Sequence, residues 1–192
     1  MGPSGVGVST PAPDAALRAA TIEVLAESGW GGVTLEKVAE RAGRARVTLW
    51  RQGVTREALL AALLDDLAED FRRSLWPVLN ADGTGRERLE SGLVQLCAVI
   101  DRHLPLVLAS DTVFHQGPPG TVLVHYSAPF ARFVRDGRGD RSLSRVGTVD
   151  EQSLLAFNTV AWTYTHLRGH HGWTPAQAQR LVVGLVLAGM RP

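Results

Sequence analysis

Apolar residues recur at helical spacing along most of this chain, and strand-like alternation is rare. From Asp14, the residues Leu17, Ala20, Val24 and Leu25 fall three, four and seven to eight apart, on one face of a helix. Asp14 after Pro13 reads as its N-cap and Gly29 as its stop. Thr34 opens a second short helix with Leu35, Val38 and Ala39 on its apolar face, ended by Ala42-Gly43. A third runs from about Ala45 to Gln52, with Gly53 behind it. Thr55 caps a fourth, carried by Leu59, Leu60, Leu63, Leu64 and Leu67 to about Trp76, before Pro77.

The same style continues without an internal repeat. Asn80 to Gly85 reads as a loop, and Thr84 with Glu87 as a capping box for a helix over about Arg86–Arg102. A short helix is expected near Leu104–Ala109. Gly117-Pro118-Pro119-Gly120 is a break, followed by a helix over about Thr121–Arg135. Asp136–Val149 holds glycine and alternating charge and reads as a mobile loop. Helices over about Asp150–Arg168 and Pro175–Met190 close the chain, the last started by Thr174-Pro175. The expected fold class is all-α, with about nine helices.

With 192 residues the chain is long enough for a real core. No run of about 18 apolar residues suggests a membrane span. Met1–Pro13 is rich in Gly, Ser and Pro, lacks the parts of a secretion signal, and reads as a disordered tail. Cys97 is the single cysteine, so no disulfide forms within one chain, and a reducing cytoplasm fits. Net charge is only +1, so a nucleic-acid reading needs a local basic patch.

Such a patch exists in the sequence. Five arginines and no acid lie between Arg41 and Arg56. Three short helices in about 40 residues, with glycine in the turn Ala42-Gly43-Arg44-Ala45, is a helix-turn-helix arrangement. The third helix would lie in a major groove, exposing Arg46, Val47, Thr48 and Arg51 and burying Leu49.

The runs Val24-Leu25-Ala26-Glu27-Ser28-Gly29-Trp30, Val33-Thr34-Leu35 and Val38-Ala39-Glu40-Arg41-Ala42-Gly43 closely resemble the N-terminal domain of TetR-type repressors. So do Thr48-Leu49-Trp50 and Thr55-Arg56-Glu57-Ala58-Leu59. The resemblance covers about a quarter of the chain, without gaps. It implies that Thr34, Trp50 and Arg56 meet phosphates and that Arg46 and Val47 read bases, with Arg44, Ala45, Thr48 and Arg51 beside them. The chain also departs from the family. Ala45 replaces a usual serine and loses an N-cap worth about 1 kcal/mol. Trp50 replaces a tyrosine, Arg44 an apolar residue, and Gly53 an aromatic that packs beneath the recognition helix. Trp50 or Val54 is expected to fill that gap.

The resemblance implies a partition into the tail 1–13, a DNA-binding domain 14–60, and a helical domain 61–192 that binds a small molecule and dimerises. Candidate pocket residues are Cys97, His103, Phe114, Tyr126, Phe130, Asn158, Trp162 and His166, with His125 a further polar hint. Taken singly, each is more often plain core. Candidate dimer residues on the last two helices are Leu154, Phe157, Val160, Ala161, Leu181 and Leu185. His166, His170 and His171 cluster near a helix end, but no acid sits between His166 and His170 in the zinc-protease pattern, and no metal or other cofactor is expected. No nucleophile elbow or phosphate loop is present, so no enzyme is expected. The expected function is a homodimeric, ligand-responsive repressor released from palindromic double-stranded DNA by a small-molecule effector. The alternative is a small-molecule-binding or interaction protein with weakened DNA binding.

Overall fold

The computed structural model describes residues 12–114 and 123–192. Among them there are nine helices and no strand. They are α1 (Ala15–Gly32), α2 (Leu35–Arg41), α3 (Arg46–Arg51), α4 (Arg56–Leu79), α5 (Gly85–Arg102), α6 (Leu104–Phe114), α7 (Leu123–Gly139), α8 (Val149–His170) and α9 (Pro175–Gly189). The all-α expectation holds. The tail expected over residues 1–13 lies almost wholly outside the described residues, as does the Gly117–Gly120 break. The chain divides into two compact units, Met1–Asp66 and Leu67–Pro192, with the division inside α4.

In the first unit, Asp14 Oδ1 accepts from the Leu17 N–H at 3.1 Å and starts α1. Gly29 interrupts that helix as expected, its φ of 62° and ψ of 179° being non-helical, and the chain resumes helix to Gly32. Leu17, Ala20, Val24, Leu25, Val33, Val38, Ala39 and Leu49 are buried, so the periodic positions do form the core. Burial of such side chains contributes roughly 1.5–3 kcal/mol each for the larger ones.

In the second unit, Thr84 and Thr148 build capping boxes with Glu87 and Glu151. The aromatic core is continuous. Phe71 meets Tyr126 edge-on at 5.0 Å, and Phe130 lies 6.0 Å from Phe133 and 5.6 Å from Phe157. A Cβ on Gly85 would strike the Gly137 backbone, so α5 and α7 approach there as only glycine allows.

Several expectations at the ends of elements are corrected. Pro77 does not stop α4, which continues to Leu79. Helix α6 extends past Ala109 to Phe114. The segment expected to be a mobile loop is ordered. Its first residues belong to α7, Leu143 is buried, and Arg138 ties down the rest. One Arg138 Nη donates to the carbonyls of Val146, Gly147 and Thr148 at 2.9–3.0 Å, and its Nε donates to Gln152 at 2.8 Å. Alternating charge reads as a solvated loop because three of these partners are backbone carbonyls, which no residue type signals.

Candidate nucleic-acid interface and effector groove

The turn between α2 and α3 is made by Gly43, at φ 66°, which a side-chain-bearing residue rarely adopts. The Gly43 N–H donates to the Glu40 carbonyl and the Arg44 N–H to the Ala39 carbonyl, closing α2. Helix α3 then presents nearly all of itself outward. Arg46, Val47, Thr48, Trp50 and Arg51 are exposed and Leu49 alone is buried. Val47 is 51% and Trp50 75% exposed, which is unusual for apolar side chains with no partner role. Trp50 therefore does not fill the space below α3. Val54 is buried, while Gly53 takes φ 70° to turn the chain.

Thr34 caps α2, its Oγ1 accepting from the Lys37 N–H at 3.3 Å, and remains exposed. Ala45 occupies the N-cap of α3 and supplies no side-chain hydrogen bond.

The basic patch is less bare than the sequence suggests. Acids from outside the Arg41–Arg56 window meet three of its arginines. Arg41 pairs with Glu23 at 3.0 Å and Glu27 at 2.7 Å, Arg44 with Asp14 at 2.6 Å, and Arg46 with Glu36 at 2.8 Å. The Glu27 and Asp14 carboxyls are held below the usual carboxylate range. Arg41 hydrogen bonding does this to Glu27; for Asp14 the Leu17 N–H acts first and Arg44 second. Arg56, expected at a phosphate, donates through Nη2 to the Trp30 carbonyl and lies 4.1 Å from the Trp30 ring centroid. Residues 1–66 hold seven basic and eight acidic side chains, so any anion attraction belongs to one face and not to the unit.

In the second unit the candidate pocket residues scatter. Cys97 and Phe130 are fully buried. Burial pushes the Cys97 thiol up to about 12, so it packs as a small apolar group. His103 Nε2 lies 3.0 Å from Asp70 Oδ2, and Tyr126 packs on Phe71. The side chains of Phe114 and His125 lie outside the described ones. Trp162 and His166 do line one cavity of about 470 Å³, together with Val107, Leu108, Thr163, Thr165 and His170. Asn158 stands one helical turn before Trp162 on α8, with its buried Oδ1 unpaired. Thr165 was not foreseen. Its buried hydroxyl also lacks a partner, a property no sequence pattern carries.

His166 and His171 approach through their Nε2 atoms at 3.1 Å. Among the described residues no group of three or more His, Cys, Asp or Glu side chains is arranged to hold a metal ion. Likewise, no helix among them is long and apolar enough to cross a membrane.

The candidate dimer residues divide. Phe157 and Val160 are buried in their own chain, and Ala161 is partly covered. The placement of Phe157 and Val160 on a dimer surface is therefore corrected: both are buried within their own chain, Phe157 against Phe130. Leu154 and Leu181 are exposed, as is Leu185 at 74%, and Leu155 joins them at 65%.

Comparison with known proteins agrees with this architecture. Residues 17–63 match the family model described as bacterial regulatory proteins, tetR family. No curated protein matches the sequence. Among solved structures, the transcriptional regulator FadR from Bacillus subtilis, in complex with stearoyl-CoA, is similar at TM-score 0.72 and 17% identity, over 91% of this chain and 97% of that one. The TetR family transcriptional regulator PfmR from Thermus thermophilus reaches TM-score 0.73 at 14% identity, over 91% and 98%. A TetR family member from Streptomyces coelicolor reaches 0.63 at 19% identity, over 95% and 94%.

Proposed function

We propose that this chain, whose residues 17–63 match the tetR family of bacterial regulatory proteins and whose fold is shared with TetR-family regulators, is a ligand-released transcription repressor. Residues 14–60 bind a palindromic operator and residues 61–192 bind the effector and dimerise. The observation that carries the reading is α3: five of its six side chains are exposed, two of them large and apolar, beside a turn built on Gly43. A surface of that kind is complementary to a groove, where thymine methyls and phosphates offer apolar and ionic contacts together.

Thr34, Arg44, Ala45, Trp50, Arg51 and Arg56 position the unit on the backbone, and Arg46, Val47 and Thr48 meet base edges. The exposed leucines Leu154, Leu155, Leu181 and Leu185 join two copies, which matches the twofold symmetry of a palindrome. Effector binding in residues 61–192 favours a state that grips DNA less well, as linkage requires of any releasing ligand. Helix α4 starts at Arg56 and carries Asp70 and Phe71 further along, so it is the continuous element through which this acts. FadR's stearoyl-CoA complex supports a small-molecule effector for this fold. The reading is of a cytoplasmic regulator and not of an enzyme.

Selection of bound duplex from a random pool tests it. A palindrome with half-sites about one helical turn apart is expected. Weak, sequence-indifferent binding would favour the alternative of a small-molecule-binding protein whose DNA grip has weakened, for which Ala45 and the arginine–carboxylate pairs speak.

A further inference from the structure

We infer that the groove between α6 and α8 is the effector site and that it takes a flat ring compound carrying a hydroxyl, in preference to an unbranched acyl chain. The inference rests on the reading of residues 61–192 as a ligand-binding domain. Helix α6 supplies Val107 and Leu108 as an apolar wall. Helix α8 supplies Trp162, Thr165, His166 and His170. The cavity of about 470 Å³ lies within the roughly 300–1,000 Å³ range of small-molecule sites. Near one end a Cβ on Gly169 would collide with the Leu108 side chain, so the two helices close on each other there.

Polarity decides the ligand class. The Thr165 residue is only 5% exposed, and its Oγ1 is buried with no hydrogen-bond partner. Asn158 Oδ1 is buried and unpaired as well, but Asn158 is not among the residues that line the groove, so Thr165 is the groove's own unpaired group. Buried polar groups without partners are rare and costly, and a ligand is one way to satisfy them. The Thr165 hydroxyl can donate or accept a hydrogen bond, and a ligand hydroxyl can answer either way. Four of the seven lining side chains are threonine or histidine, and none is a carboxylate, lysine or arginine. A polymethylene chain laid here would cover those groups and satisfy none. An aromatic ring instead meets Val107 and Leu108 with one face and has the indole of Trp162 as an aromatic neighbour. His166 and His170 at the rim offer further hydrogen bonds to a ring substituent.

Equilibrium dialysis of the full chain against 2-naphthol, naphthalene and decanoate tests this. Retention of 2-naphthol is expected to be about tenfold tighter than that of naphthalene, with decanoate no tighter than naphthalene. Thr165→Val keeps the shape of the side chain and removes its hydroxyl. It should erase most of the 2-naphthol preference and leave naphthalene retention unchanged, and a thermal melt checks that the variant folds. Trp162→Leu should weaken both ring compounds. Tighter binding of decanoate, indifference to Thr165→Val, or no retention of either ring compound would overturn the inference. Retention of 2-naphthol with no palindromic duplex selected would overturn the repressor reading alone. A selected palindrome without ring retention would overturn only the ligand class.

Discussion

Glu36 Oε1 on α2 lies 2.8 Å from Arg46 Nε on α3, so the arginine proposed to read a base is held by a carboxylate. Both side chains are more than half exposed, which makes the pair weak and exchangeable. DNA phosphate or guanine would have to replace Glu36. Glu36→Gln should therefore raise duplex affinity about three- to tenfold at low salt, with the gain shrinking as salt screens it. Arg46→Ala should relax sequence preference at one position per half-site. Fluorescence anisotropy against the selected palindrome and its single-base variants checks both.

Arg56 is anchored on Trp30 by a hydrogen bond and by its guanidinium over the ring. Arg56→Ala should thus act twice. It should destabilise the N-terminal unit by about 1 kcal/mol, read by denaturant melts. It should also weaken all duplexes alike, in contrast to Arg46→Ala. Loss of affinity with unchanged stability would show that the Trp30 contact contributes nothing to folding.

Ala45 sits in extended backbone at the start of α3 and leaves the helix uncapped. Ala45→Ser should stabilise the fold by about 1 kcal/mol, seen as a higher melting temperature. Its duplex affinity should rise or stay constant, because the recognition helix would fray less.

Asp70 on α4 accepts from Arg102 Nε at 2.8 Å and lies 3.0 Å from His103 Nε2. Arg102 first, and His103 second, hold its carboxyl below the usual carboxylate range. A depressed carboxylate adds stability above its unfolded value, near pH 4, and loses it as pH falls through the folded value. Asp70→Asn should cost about 1 kcal/mol at pH 7, and the difference from the parent should shrink as pH falls below the unfolded value and through the folded one. Urea midpoints across that range measure it.

Leu155 and Leu185 are the most exposed leucines of α8 and α9. The double change Leu155→Glu and Leu185→Glu should convert a dimer to a monomer in sedimentation equilibrium. Affinity for the palindrome should then fall more than about tenfold, while binding to an isolated half-site changes little. A parent chain that sediments as a monomer would remove the proposed interface.

The helices of the N-terminal unit were legible because each carries its own signals within a few residues. Asp14, Thr34 and Thr55 cap where periodicity says a helix begins, and Gly43 turns where only glycine relaxes. Pro77 misled because proline at the end of a long helix is tolerated when the last turn is packed, as buried Val78 shows. Dimer and pocket residues were legible only as classes. Helical spacing places Phe157 and Leu154 on α8, but which one is covered depends on the helices packed against it.

Local order along α1–α4, and the family likeness it carries, were determined by sequence alone, because capping and periodicity act over one or two turns. How far the charge of the arginine run is neutralised was decided only in three dimensions. Asp14, Glu23, Glu27 and Glu36 lie outside the run in sequence and reach it because the fold brings α1 and α2 alongside. Coulomb interactions depend on distance in space, and chain separation says little about that. The same holds for Thr165, whose hydroxyl is buried without a partner only because of what the fold packs around α8.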